Sequence, residues 1–135
     1  MRDLVAIERL MKEYHTHKKL IVAVDFDDTV YDFHNAGYSY HRVLNVVRDA
    51  QALGFFIVVF TGSHPDSWPM QRTYLAERGI KVDSINENPL PLPFGNHGKI
   101  YYNILLDDRA GLGQAVLTLE TVIRYIQMEK KDEQE

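Results

Sequence analysis

Leu20-Ile21-Val22-Ala23-Val24-Asp25-Phe26-Asp27-Asp28-Thr29-Val30 sets an apolar, largely β-branched run directly against three acids and a threonine. Such a run reads as a strand buried on both faces, because no alternate position is polar. The acids then fall where the strand leaves the sheet. Carboxylates packed this closely against a core strand need a cation or another partner, since an unpaired buried charge is costly.

Working outward, the same pattern returns twice. Phe55-Phe56-Ile57-Val58-Val59-Phe60 reads as a second buried strand that exits into Thr61-Gly62-Ser63, and Ile104-Leu105-Leu106 leads into Asp107-Asp108. Between these runs the periodicity changes. Residues 41 to 53 predict a helix with Val43, Leu44, Val46, Val47 and Ala50 inward, closed by Gly54. Residues 65 to 69 read as a loop, 70 to 78 as a short helix closed by Gly79, and 80 to 85 as a third strand. Residues 86 to 98 read as a Pro/Gly loop, and the fourth strand starts at Tyr102 or Asn103. A helix over 2 to 17 precedes the first strand, a long amphipathic helix covers 112 to 130, and residues 131 to 135 read as a solvated tail.

Alternating strands and helices predict an α/β domain with a mainly parallel sheet. Right-handed crossovers place every strand's C-terminal end on one edge, where open α/β sheets bind ligands. Asp25, Asp27, Asp28 and Thr29, then Thr61 and Ser63, then Asp107 and Asp108 all fall at that edge. The 135 residues accommodate one domain spanning 1–135, with its core over about 19–130.

Composition removes several function classes. There is no cysteine, so disulfides, thiolate nucleophiles and Cys-ligated zinc are out. The formal charge of −4, with no Lys/Arg cluster, predicts no stable nucleic-acid footprint, although a nucleotide substrate held through a metal remains compatible. No signal-peptide pattern follows the start, and the apolar runs are far too short to span a bilayer. A soluble, cytoplasmic protein without a membrane partner is expected.

Clustered carboxylates with hydroxyls and a lysine nearby suit Mg²⁺, which takes a few carboxylates, waters and phosphate oxygens. One Asp could then attack phosphorus while a second, two residues on, handles the proton of the leaving oxygen. Each feature also has a plainer reading. Asp is favoured in turns and at helix caps, Thr-Gly is an ordinary strand exit, and Asp107-Asp108 can cap the final helix. Trp68, Tyr31, Phe33, Tyr38, Tyr40 and Phe94 could stack on a substrate ring, or pack together as a lid or an oligomer contact. Of the six histidines, His34, His64 and His97 lie in loops near the acidic edge, and none belongs to a metal-ligand pattern.

Taken together, these motifs resemble those of the haloacid dehalogenase superfamily of phosphotransferases. Asp25-Phe26-Asp27-Asp28-Thr29 matches its first motif, Thr61 at the end of an apolar strand its second, and Asp107-Asp108 its fourth. The resemblance covers about residues 19 to 123. It implies a Rossmann-like three-layer α/β sandwich and a Mg²⁺-dependent phosphomonoester hydrolase working through an aspartyl-phosphate. It implies Asp25 as nucleophile and metal ligand, and Asp27 as general acid/base with its backbone carbonyl on the metal. Thr61 and the Gly62 N–H would hold the phosphoryl group, while Asp107 and Asp108 would complete the metal shell. Lys99 is the candidate for the family's basic motif, at an interval from Asp107 that looks like that of the 5′(3′)-deoxyribonucleotidases; Lys81 is the poorer one.

Neither interval between the motifs has room for a cap domain, so the resemblance implies a minimal cap and an open site. The substrate is then a nucleotide, a small metabolite or a larger phosphorylated molecule, and a homo-oligomer is a further expectation. Two alternatives stand beside this one: a catalytically silent binding module of the same fold, and a receiver-like phosphoacceptor domain.

Overall fold

The structure is a computed structural model that describes residues 2–89 and 98–134. Its elements follow the order α1 (Leu4–His17), β1 (Ile21–Asp25), α2 (His41–Ala52), β2 (Phe56–Phe60), α3 (Trp68–Ala76), β3 (Ser84–Ile85), β4 (Ile104–Leu106) and α4 (Leu112–Gln134). The four strands form one all-parallel sheet in the order β3-β2-β1-β4. The expected α/β class is observed, with helices flanking the sheet.

Strand order decides one alternative. Here β1 lies between β2 and β4, as in the Rossmann arrangement, whereas receiver domains place β1 between β2 and β3. The receiver-like reading is therefore corrected. The same order sets a topological switch point: the chain adds β2 and β3 on one side of β1, then returns to lay β4 on the other. The C-terminal ends of β1 and β4 flank the crevice this creates.

Alternation within the strands explains the packing. Val22, Val24, Ile57, Val59, Ile104 and Leu106 join one hydrophobic core with residues of all four helices, among them Leu10, Val47, Leu75 and Leu119. Their neighbours Ile21, Ala23 and Val58 are buried on the opposite face. On that face the segment entering β4 lays Tyr102 edge-on against Phe60, at 5.7 Å between ring centres. Phe60 is in register with Asp25, so the Asp25 side chain also belongs to this face.

Three of the differences from the sequence reading change an element by two residues or more at the end described. The third strand, expected over 80 to 85, is reduced to Ser84–Ile85. Side chains have taken over its backbone groups: Gln51 pairs with both the N–H and C=O of Lys81, and Arg72 donates to the Val82 carbonyl, while the Asp83 carboxylate takes up the Ile57 N–H of β2 at 2.7 Å. The third helix starts at Trp68 rather than Met70, after a 3₁₀ turn over Pro65–Ser67. Pro69 read as a loop residue, but the first turn of a helix tolerates proline because its N–H has no intrahelical partner there. The last helix continues to Gln134, so the expected polar tail is helical over most of its length. The loop expected over 86 to 98, with Phe94 and His97, lies largely outside the described residues.

No helix among the described residues is long and apolar enough to cross a membrane.

Candidate functional site

The turn after β1 is wound around one carbonyl. Phe26 C=O receives the N–H groups of Thr29, Val30 and Tyr31 at 3.1 to 3.4 Å, and Phe26 N–H donates to Phe60 C=O at 3.2 Å. Asp28 adopts a left-handed backbone with φ of 59°, a conformation that Asp tolerates better than most residues. Its carboxylate is held by the ring Nδ1 and the backbone N–H of His34. Burial opposes ionisation of Asp28, but those bonds from His34 outweigh it and the carboxyl titrates below its usual range. Asp28 is thus a turn residue with its own partner.

Thr29 is fully buried beneath the acids. Its hydroxyl lies 3.3 Å from both Asp25 Oδ2 and Asp108 Oδ1, and accepts the Asp108 N–H at 3.0 Å. One side chain therefore joins the exits of β1 and β4. Sequence reading placed Thr29 in the motif without giving it this role; its position four residues after Asp25 was the available signal.

Asp25, Asp107 and Asp108 each offer a carboxylate oxygen within 4.8 Å of the others, the one such group of His, Cys, Asp or Glu among the described residues. None of the three is ion-paired to a described Lys, Arg or His. Burial, the charge of Asp107, and then the hydrogen bond and charge of Asp108 push the Asp25 carboxyl up to about 7 from 3.8, against a lowering by Thr29. Three oxygen donors with no compensating cation form a hard donor set, and this fits a divalent ion such as Mg²⁺. The Asp27 carboxylate is not one of the group. It too titrates above its usual range, through burial first, then the charge of Asp28 and more weakly that of Asp108, with His34 opposing.

The second expected contributor, Thr61, begins the loop one residue beyond Phe60, the register partner of Asp25. Asn86, at the exit of β3, clamps its backbone: Thr61 N–H donates to Asn86 Oδ1 at 2.9 Å, and Asn86 Nδ2 donates to Thr61 C=O at 2.7 Å. The Thr61 hydroxyl accepts the Ser63 N–H and Gln71 Nε2, both at 3.1 Å. Asn86 read as a loop residue, and nothing in the sequence singled out Gln71. Gly62 is exposed beside them, with open space around its Cα.

Lys99 is exposed in the segment before β4 and forms no ion pair with a described acid. Lys81 is tied through its backbone to Gln51 and precedes β3, so it belongs to the other edge of the sheet. Of the aromatics, Tyr31 is packed between Phe26 and Tyr74, with ring centres at 5.3 and 5.1 Å. Trp68 is half-buried and donates to Ser63 C=O. Phe33 and Tyr38 remain exposed.

With this geometry in view, the fold is similar to a solved structure described as that of the conserved protein coded by a locus from Bacteroides thetaiotaomicron. The two share 16% identity over 82% of this chain and 92% of the other, with a TM-score of 0.59. That likeness shows the fold alone. No family model and no curated protein matches the sequence. Function therefore has to be argued from the edge itself, where a parallel α/β sheet gathers an acidic triad at its switch point.

Proposed function

We propose that the protein is a divalent-cation-dependent phosphomonoester hydrolase of the haloacid dehalogenase type. The observation that carries this reading is the uncompensated triad of Asp25, Asp107 and Asp108 at the crevice between β1 and β4. Asp25, Asp107, Asp108 and the Asp27 carbonyl would hold the ion. When bound, it supplies positive charge that offsets both the carboxylates and a phosphate dianion.

The chain's own groups then divide the work. Asp25 uses a carboxylate oxygen to attack phosphorus, and the bond from phosphorus to the leaving oxygen breaks. Asp27 gives its proton to that oxygen; burial first, then the charge of Asp28, shift its carboxyl upward and so favour the protonated form it needs as an acid. In the second half Asp27 takes a proton from water, the water oxygen bonds to phosphorus, and the aspartyl-phosphate bond breaks. Asp25 is regenerated as a carboxylate and inorganic phosphate leaves. Thr61 and the Gly62 N–H hold the phosphoryl oxygens. Lys99, which pairs with none of the described acids, is assigned to the phosphate.

Among the described residues only α2 lies between the first two motifs, and only a 3₁₀ turn, α3 and β3 lie between the second and the fourth, so no cap covers this edge in the described residues. An open site suits substrates larger than a small metabolite as well as nucleotides. Purified protein with Mg²⁺ is expected to hydrolyse p-nitrophenyl phosphate, with EDTA or Asp25→Asn abolishing turnover and Lys99→Ala raising KM. Unchanged turnover in Asp25→Asn would falsify the nucleophile assignment.

A further inference from the structure

Gln71 poses a problem that the site above does not use. It lies on α3 with 1% of its surface exposed, and its Oε1 has no hydrogen-bond partner among the described residues. A fully buried amide oxygen without a partner is destabilising and calls for an explanation. Its other end supplies one, because Nε2 donates to the Thr61 hydroxyl at 3.1 Å.

A threonine hydroxyl has two acceptor sites and one proton. On Thr61 the Ser63 N–H and Gln71 Nε2 occupy both acceptor sites, each at 3.1 Å. The clamp from Asn86 fixes the backbone beneath it. The hydroxyl can then only donate. With the Gln71 amide turned over, Oε1 would take up that proton and none would remain for a substrate.

We infer that Gln71 is a positioning residue: by filling the last acceptor site on Thr61, it holds that hydroxyl as a donor toward the oxygens of a bound phosphate. This rests on the phosphatase reading of the same edge. The unpartnered Oε1 is the structural cost of an amide oriented for Thr61 rather than for the core.

Two substitutions separate positioning from packing. Gln71→Met keeps the volume and removes the unpartnered oxygen, so its Tm should equal or exceed that of the wild type. Its kcat/KM for p-nitrophenyl phosphate with Mg²⁺ should nevertheless fall about tenfold, below the loss typical of removing a donor outright. Gln71→Glu, which can only accept when ionised, should fall at least as far. In a Thr61→Ala background neither substitution should lower kcat/KM further, whereas Thr61→Ser should retain the dependence on Gln71. Wild-type kcat/KM in folded Gln71→Met, or losses that multiply with Thr61→Ala, overturn the inference. A wild type that hydrolyses no phosphomonoester overturns the phosphatase reading instead. The inference is then decided by the Gln71 side-chain amide resonance. A shift in Thr61→Ala, and on adding inorganic phosphate with Mg²⁺ to the wild type, supports it; no shift in either overturns it.

Discussion

Thr29 accepts the backbone N–H of Asp108 across 79 residues of chain, at 3.0 Å. The same hydroxyl lies within reach of Asp25, so the registration of the β1 and β4 exits depends on one buried oxygen. Thr29→Val keeps the shape but leaves that N–H unpaired in a part-buried setting, at a cost of about 1–3 kcal/mol. Thermal or urea unfolding measures it, and Thr29→Ser should recover most of the loss. Equal stability in Thr29→Val and Thr29→Ser would show that the hydroxyl does not join the two exits.

Metal binding should be visible without turnover. An ion bound only by the folded chain stabilises it by about 2.7 kcal/mol at a hundred times its dissociation constant. For a domain of this size that is on the order of 5–10 °C in Tm. Asp107→Asn and Asp108→Asn should each reduce the Mg²⁺-induced shift, and EDTA should reverse it in the wild type. A melting temperature indifferent to millimolar Mg²⁺ argues against the triad as a metal site.

The raised carboxyl of Asp25 makes a signed prediction for metal-free protein. Its folded pKa of about 7 lies above the ordinary 3.8, so the folded state holds a proton that the unfolded state has lost between those values. The stability it contributes is present below about pH 4 and disappears as pH rises through about 7. In EDTA, Asp25→Asn should therefore be more stable than the wild type at pH 8, by roughly 1 kcal/mol after solvent screening. The advantage should vanish near pH 4. Parallel stability curves for the two proteins across this range would contradict the upward shift that burial and the neighbouring acids give Asp25.

Asn86 combines two functions that mutation can separate. It clamps the Thr61 backbone from both sides while adopting a φ of 56°. Asn86→Gly loses the clamp but suits the left-handed backbone, whereas Asn86→Ala loses the clamp and is strained as well. Alanine should be the worse substitution by about 1 kcal/mol in chemical unfolding. Reversal of that order would mean that the backbone relaxes out of the left-handed region.

Much of the architecture was legible along the chain. The runs at residues 20 to 24 and 55 to 60 are apolar at every position, which only a strand buried on both faces requires, and the acids after residues 24 and 106 mark their own strand exits. Of the four acids the sequence marks as a metal set, Asp25, Asp27, Asp107 and Asp108, the first and the last two bring carboxylate oxygens within 4.8 Å of one another, and the Asp27 carboxylate stands outside. The third strand is shorter than its pattern predicts because Ile80 and Val82 are buried as a strand's residues would be, while Ile80 N–H donates to the Leu75 carbonyl, Val82 C=O accepts from Arg72, and Lys81 between them is bonded to Gln51.

Sequence alone determined which residues meet the edge, since side-chain periodicity and strand exits are local properties of the backbone. Tertiary structure decided what those residues do to each other. The order β3-β2-β1-β4 puts β4 beside β1, and that adjacency sets Asp108 on Thr29 and adds the charges of Asp107 and Asp108 to the burial that lifts the Asp25 carboxyl. Likewise Gln71 meets Thr61 because α3 folds back over the exit of β2. Hydrogen bonds and charge repulsion act over a few ångströms of space, and a linear chain does not specify those distances until its crossovers have closed.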